Sequence, residues 1–140
     1  MLVRLLYASR ASQPIDDSAL ATILKQSREH NPAEGITGLL CHADGTFIQL
    51  LEGGRDAVNA RYKQIVGDAR HRDVVLLSYE EVTERQFGGW SMGQVNLQRL
   101  NPGLVLKYSE SGRLDPYRMS GTSMLALFHE LVSSGAIVCA

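Results

Sequence analysis

The stretch GITGLLCHADGTFIQLLEGG, residues 35–54, restricts the fold more than any other part of the chain: two short apolar runs flank Ala43-Asp44-Gly45. Asp-Gly between apolar runs signals a hairpin, because both residues tolerate the positive φ that a tight β-turn demands. Antiparallel strands two and three are therefore predicted, and each end of this hairpin abuts a segment with helical spacing. Upstream, Asp16, Asp17 and Ser18 offer N-caps, and Leu20, Ile23, Leu24 and Ser27 recur on one face. Asn31-Pro32 is the predicted stop, since a residue before proline is pushed out of the α region. Downstream, a helix over about Asp56 to Ala69 aligns Val58, Tyr62, Ile65, Val66 and Ala69.

LVRLLYAS (2–9) reads as strand one, VVLLSYEEV (74–82) as strand four and GWSMGQVNL (89–97) as strand five, interrupted by Gly93. The order βαββαββ predicts an α+β fold, a ferredoxin-like sandwich whose five-stranded mixed sheet carries both helices on one face. After Leu97 the punctuation changes, through Asn101-Pro102-Gly103 and Asp115-Pro116, to a last helix over about 120–133 with Met124, Leu127, Phe128 and Leu131 on one side. This reads as a C-terminal helical cap, dividing the chain into a domain over 1–98 and an extension over 99–140.

Composition removes several function classes. The net charge is −1, which offers no electrostatic footprint for nucleic acid or an anionic membrane surface. No apolar run approaches the roughly 18 residues of a membrane span. MLVRLLYASR is too short and strand-like for a secretory signal. The two cysteines, Cys41 and Cys139, lie far apart and in no metal-ligand spacing, so a cytoplasmic protein with reduced thiols is expected, with no metal and no membrane partner.

Gln49 is the anomaly: a primary amide in the middle of an apolar strand. Left buried without partners it would cost ~1–3 kcal/mol. Strand parity groups Val3, Leu5, Tyr7 and Ser9 on one face and Phe47, Gln49 and Leu51 on another. If both faces look toward the helices, Tyr7 and Gln49 are neighbours. Such a pair is inert in most cores, yet tyrosine can also lose an electron and a proton while an amide can exchange donor and acceptor. The residues alone leave both readings open. Polar groups also gather where the helices end, as EHN (29–31) and DARH (68–71), suggesting a crevice that takes a flat heteroaromatic molecule with a phosphate on Arg70. The commoner reading is that Arg70 and His71 complement a helix dipole.

Together, LLYAS, EHNPAEGITGLL, GTFIQLLEG, DARH and GWSM, in this order and spacing, resemble the BLUF family of blue-light sensors using FAD, over roughly residues 1–98. The resemblance implies a non-covalently bound flavin, FAD with FMN or riboflavin as alternatives. It implies that Tyr7 and Gln49 form the photochemical switch, that Trp90 and Met92 on strand five relay it, and that Asn31, His30, Arg70 and His71 join Tyr7 and Gln49 around the cofactor. Ser9 falls two residues after the tyrosine, as a secondary partner for Trp90. Leu50 and Ala8 depart from residues found in other members. The implied chemistry is an electron and proton exchange at Tyr7 that ends with the Gln49 amide reversed and no net redox product. The segments read contain no kinase, cyclase or phosphodiesterase domain, so the expectation is not an enzyme but a sensor acting on an unidentified protein partner or its own homo-oligomer. The rivals are a ferredoxin-like regulatory module that binds a small metabolite without flavin, and an enzyme of the dimeric α+β barrel type.

Overall fold

A computed structural model describes residues 1–95 and 100–134, and the backbone of 137 and 138. The expected strand end at Leu97, the boundary between 98 and 99, and Cys139 lie outside the described residues. The elements run β1 (Leu2–Ala11), α1 (Asp17–Glu34), β2 (Thr37–Ala43), β3 (Thr46–Gly54), α2 (Arg55–Val66), β4 (His71–Val82), β5 (Gly93–Val95), α3 (Pro102–Tyr108), α4 (Gly121–Ser134) and β6 (Ile137–Val138). The sheet order is β4-β1-β3-β2-β5-β6. β3 pairs antiparallel with both β1 and β2, so the crossover helix α1 links parallel strands with β3 between them, as a split βαβ unit requires. β5 joins β2 in parallel, which makes the sheet mixed, and the two-residue β6 adds a sixth strand to the expected five.

The hairpin forms as read: Asp44 and Gly45 take φ of 51° and 73° between β2 and β3. Asp16 caps α1, its carboxylate accepting from the Ala19 amide at 2.7 Å. The predicted stop at Asn31 is wrong, for α1 runs through Pro32 to Glu34. Proline forfeits one hydrogen bond there, and the final turn is secured by Gly35 at φ +67°, whose amide donates to Pro32 O while Ile36 N donates to Asn31 O. Asn31 therefore stays helical. α2 ends at Val66, short of the expected Ala69; Val58 is buried on it, whereas Val66 and Ala69 are exposed. β4 starts at His71 rather than Val74. Strand five starts at Gly93 rather than Gly89, so Trp90 and Met92 precede the strand instead of lying on it.

Alternation along β1, β2 and β3 splits the core in two. Val3, Leu5, Tyr7, Leu40, Phe47 and Leu51 face α1 and α2 with Leu20, Leu24 and Val58. Leu6, Leu39, Cys41, Ile48 and Leu50 face the opposite way, under Met124, Leu127, Phe128 and Leu131 of α4. The helical cap thus covers the far face, where the start of α4 rests on β4: a Cβ on Gly121 would lie 2.1 Å from Leu77 O. On this face the fully buried Glu52 carboxylate accepts from Arg4 Nε (2.8 Å) and from the Gln86 and Phe87 amides (3.1 and 2.6 Å). That anchors the chain just before Trp90.

Candidate functional site

A cleft of about 390 Å3 opens between α1 and α2 over the helix-facing side of the sheet. Its floor carries Tyr7 and Gln49, which β1 and β3 place directly opposite each other. Tyr7 Oη donates to Gln49 Oε1 at 2.5 Å, and Gln49 Nε2 donates to Met92 Sδ at 3.5 Å. The parity argument therefore holds, and Gln49 is satisfied by protein at both ends. Its orientation has a physical cause. A thioether only accepts, whereas a phenol donates or accepts, so both contacts are hydrogen bonds only with the amide nitrogen toward Met92. Burial holds the Tyr7 phenol far above its ordinary pKa, with smaller contributions from Tyr62 and Asp68.

Met92 and Trp90 go to opposite sides of the sheet. Met92 is buried with Tyr7, Leu40 and Phe47, while Trp90 packs on the cluster beneath α4. The expectation that they share a face fails because 89–92 is not extended strand, and period-two parity does not apply outside one. Ser9 Oγ is hydrogen-bonded to His71 Nδ1 at 2.7 Å on the helix-facing side, not placed as a partner for Trp90. His71 reaches the cleft from the first residue of β4, packed on Phe47 at 5.1 Å, and burial lowers its pKa. DARH therefore follows the end of α2 instead of closing it.

Asn31 is buried in the cleft wall and donates through Nδ2 to Ser91 O at 2.6 Å; His30 lines the same wall but is exposed. Arg70 also lines the cleft, exposed, with Nε and Nη2 forked onto the Asp68 carboxylate at 2.7–3.1 Å. The Arg70 hydrogen bond, foremost, pulls the Asp68 pKa below its ordinary value. Sequence reading passed over Asp68 as a site residue. The Asp-x-Arg spacing was an available signal, since Asp68 also accepts from the Arg70 amide in an Asx-type turn. It also missed Arg61 and Gln64, which line the cleft from a helix face that looks like ordinary solvated surface, and Ser27, which it placed on the apolar stripe of α1 without a role at the site. Arg61 reaches Glu34 and Gln64 through its terminal nitrogens, leaving its buried Nε without a hydrogen-bond partner.

The donor set fits a flavin. Ile23, Leu40, Phe47, Leu51 and Ile65 line the cleft with apolar surface that would suit a flat ring system, Asn31, Gln49 and His71 line it with polar groups that would meet a ring edge, and Arg61 and Arg70 with cations that would meet an anionic tail. Among the described residues no group of three or more His, Cys, Asp or Glu is placed to hold a metal ion.

Comparison with known proteins agrees with this geometry. Residues 2–93 match the family model described as BLUF, sensors of blue-light using FAD. Photoactivated adenylate cyclase subunit beta of Euglena gracilis is 37% identical over 86 residues, which is 61% of this chain and 10% of that protein. The chain thus spans about a tenth of the length of the curated relatives it matches. Among solved structures, BlsA in its photo-activated state superposes with a TM-score of 0.82 at 31% identity, covering 94% of this chain and 95% of that one. BlrB, a BLUF protein in its dark state, gives a TM-score of 0.80 at 31% identity, covering 96% of each chain. A hydrogen-bonded tyrosine–glutamine pair on the floor of a flavin-sized cleft, in this fold, belongs to a flavin-binding blue-light sensor, and the chain is a member of the BLUF family.

Proposed function

We propose that Tyr7 and Gln49 are the photochemical switch of this sensor, that Met92 reads the state of the switch, and that the flavin, FAD in preference to FMN or riboflavin, is held by Asn31, His30, Arg70 and His71 together with the switch pair. The observation that carries this reading is the Gln49 amide suspended between a reversible partner, the Tyr7 hydroxyl, and an irreversible one, the Met92 sulfur. A bound flavin supplies the blue-light absorption and, once excited, an acceptor for one electron.

The residues of the chain supply the rest. Burial keeps Tyr7 protonated, so its proton leaves Oη only when the electron leaves, and the 2.5 Å bond to Gln49 Oε1 is the path laid out for it. A proton on that oxygen, matched by loss of one Nε2 proton to the acceptor that took the electron, would turn the amide into its imidic form, from which rotation or tautomerisation reverses the two ends. When Tyr7 regains its electron and proton, no net oxidation remains. What persists is an exchange of donor for acceptor at each end of Gln49. The Tyr7 hydroxyl accommodates this by accepting instead of donating. Met92 cannot, because its sulfur has no proton to give. The change is therefore passed to Met92 and to β5, which begins at the next residue.

Asn31 Nδ2 is committed to Ser91, which directs its carbonyl oxygen to the ligand, and Arg70 meets the anionic tail once it shares or releases Asp68. The sensor module is taken as 1–98 and the extension as 99–140, with output to a separate protein or a second copy of the chain and no catalysis of its own. Among the described residues no helix is long and apolar enough to cross a membrane, and the net charge is −1, in keeping with a cytoplasmic protein that engages neither membrane nor nucleic acid. An absorption spectrum of the purified protein in the dark and after blue light is the test. A structured flavin band that moves reversibly to the red is expected. A colourless protein that refuses added FAD would overturn the reading in favour of a metabolite-binding module.

A further inference from the structure

Residues 90–92 belong to no sheet ladder, yet three consecutive carbonyls in this segment are held by donors from other elements. Trp90 O accepts from the Gly38 amide of β2 at 3.1 Å, Ser91 O from Asn31 Nδ2 of α1 at 2.6 Å, and Met92 O from Arg28 Nε of α1 at 3.0 Å. Gly38 is a backbone donor and Asn31 lines the cleft, whereas Arg28 does not line it. Arg28 is half-buried, and its guanidinium reaches across to the residue whose sulfur faces Gln49. A charged donor on a carbonyl makes a stronger bond than a neutral one.

We propose that Arg28 is a positioning residue for the photoswitch, a latch that holds Met92 against Gln49 in the dark and whose re-formation sets the lifetime of the light-adapted state. The proposal rests on the Tyr7–Gln49–Met92 reading above. Once Gln49 is reversed, its oxygen faces the Met92 sulfur and the two repel. Met92 moves away, and its own carbonyl leaves Arg28 Nε. Thermal return to the dark state must remake that bond. Removing the donor withdraws stabilisation from the dark arrangement and from the path back to it, so return slows, while the primary event at Tyr7 and Gln49 is untouched.

The test uses the full chain loaded with FAD and follows recovery in the dark after a blue flash, in the wild type, Arg28→Met and Arg28→Gln. Methionine keeps the side chain as far as the Nε position and places a methyl where Nε stood. Glutamine places an amide nitrogen the same number of bonds from Cα, restoring a donor without the charge. All three proteins are expected to bind FAD and show the same red shift. Arg28→Met recovers ~3-fold or more slowly, as expected when part of a charge-assisted hydrogen bond is missing from the barrier-crossing state, and Arg28→Gln returns close to the wild-type rate. Recovery of Arg28→Met at the wild-type rate or faster overturns the latch. So does an Arg28→Gln variant as slow as Arg28→Met, which would assign the effect to charge, and so does loss of the red shift in Arg28→Met. A wild type that fails to shift at all would reject the switch reading itself, a distinct result that needs no Arg28 variant.

Discussion

Replacing Tyr7 by Phe tests the switch and its energetics in one protein. The ring stays, buried at 1% exposure, and only the hydroxyl that donates to Gln49 Oε1 is lost. Gln49 is 7% exposed, so its oxygen becomes a buried acceptor deprived of its donor, at a cost of ~1–3 kcal/mol. With a urea m-value of ~1–3 kcal/mol/M for a domain of this size, the unfolding midpoint falls by about 1 M. Adding Gln49→Leu to Tyr7→Phe removes the stranded acceptor and recovers part of the loss, because deleting both partners is cheaper than deleting one. Urea titrations with FAD in fixed excess keep the ligand contribution constant, provided the variants bind it equally. Difference spectra on the same samples read the photochemistry, where Tyr7→Phe is expected to bind flavin and show no reversible red shift. A full-amplitude photocycle in Tyr7→Phe would refute the assignment of Tyr7 as electron and proton donor. An unchanged midpoint would refute the hydrogen-bond accounting, by showing that the Gln49 oxygen is satisfied elsewhere.

Three other perturbations have definite outcomes. Glu52→Ala strands Arg4, which keeps Glu80 at 3.0 Å, and orphans the Gln86 and Phe87 amides; a loss of ~3–5 kcal/mol is expected in chemical denaturation, and a loss under about 1 kcal/mol would contradict it. Gly121→Ala drives a Cβ to 2.1 Å from Leu77 O, so α4 must lift from β4, at ~1–3 kcal/mol or more and with a rise in binding of a hydrophobic dye; an unchanged melting curve would show that α4 docks differently. Burial holds His42, His71 and His129 below their ordinary value of 6.5, so the unfolded chain takes up protons first as the pH falls. Their contribution is complete above 6.5 and declines below it, so the urea midpoint should hold down to about pH 6.5 and fall as the pH drops further, less steeply in His71→Gln; a flat profile would contradict the assignment.

What was legible in the sequence is what local rules control. The Asp44-Gly45 turn, the Asp16 cap, the alternation that brings Tyr7 and Gln49 to one face, and the apolar stripe of α4 all follow from backbone preferences or periodicity over a few residues. The family resemblance rested on the same local segments, with spacing doing the work that no single motif could. Errors came where tertiary context outweighed a local preference. Pro32 was accommodated because Gly35 and Ile36 satisfy the carbonyls around it. His71 joined β4 because Ala11 pairs with it, and α2 stopped early, which turned the presumed helix-end residues into a turn and a strand start.

The chain by itself therefore determined the βαββαββ order and the last helix, the hairpin, the apolar stripes and the presence of a tyrosine and an amide on one sheet face. Only the tertiary structure decided that Met92 lies on the cleft side of the sheet and Trp90 on the α4 side, that Asp68 holds Arg70, and that α1 donors clamp the carbonyls of residues 91–92. The physical reason is range. Turns, caps and alternation are settled by neighbours in sequence, whereas the side chain that fills a site from an irregular segment is chosen by donors 60 or more residues away, as with Asn31 to Ser91 at a separation of 60 and Arg28 to Met92 at 64.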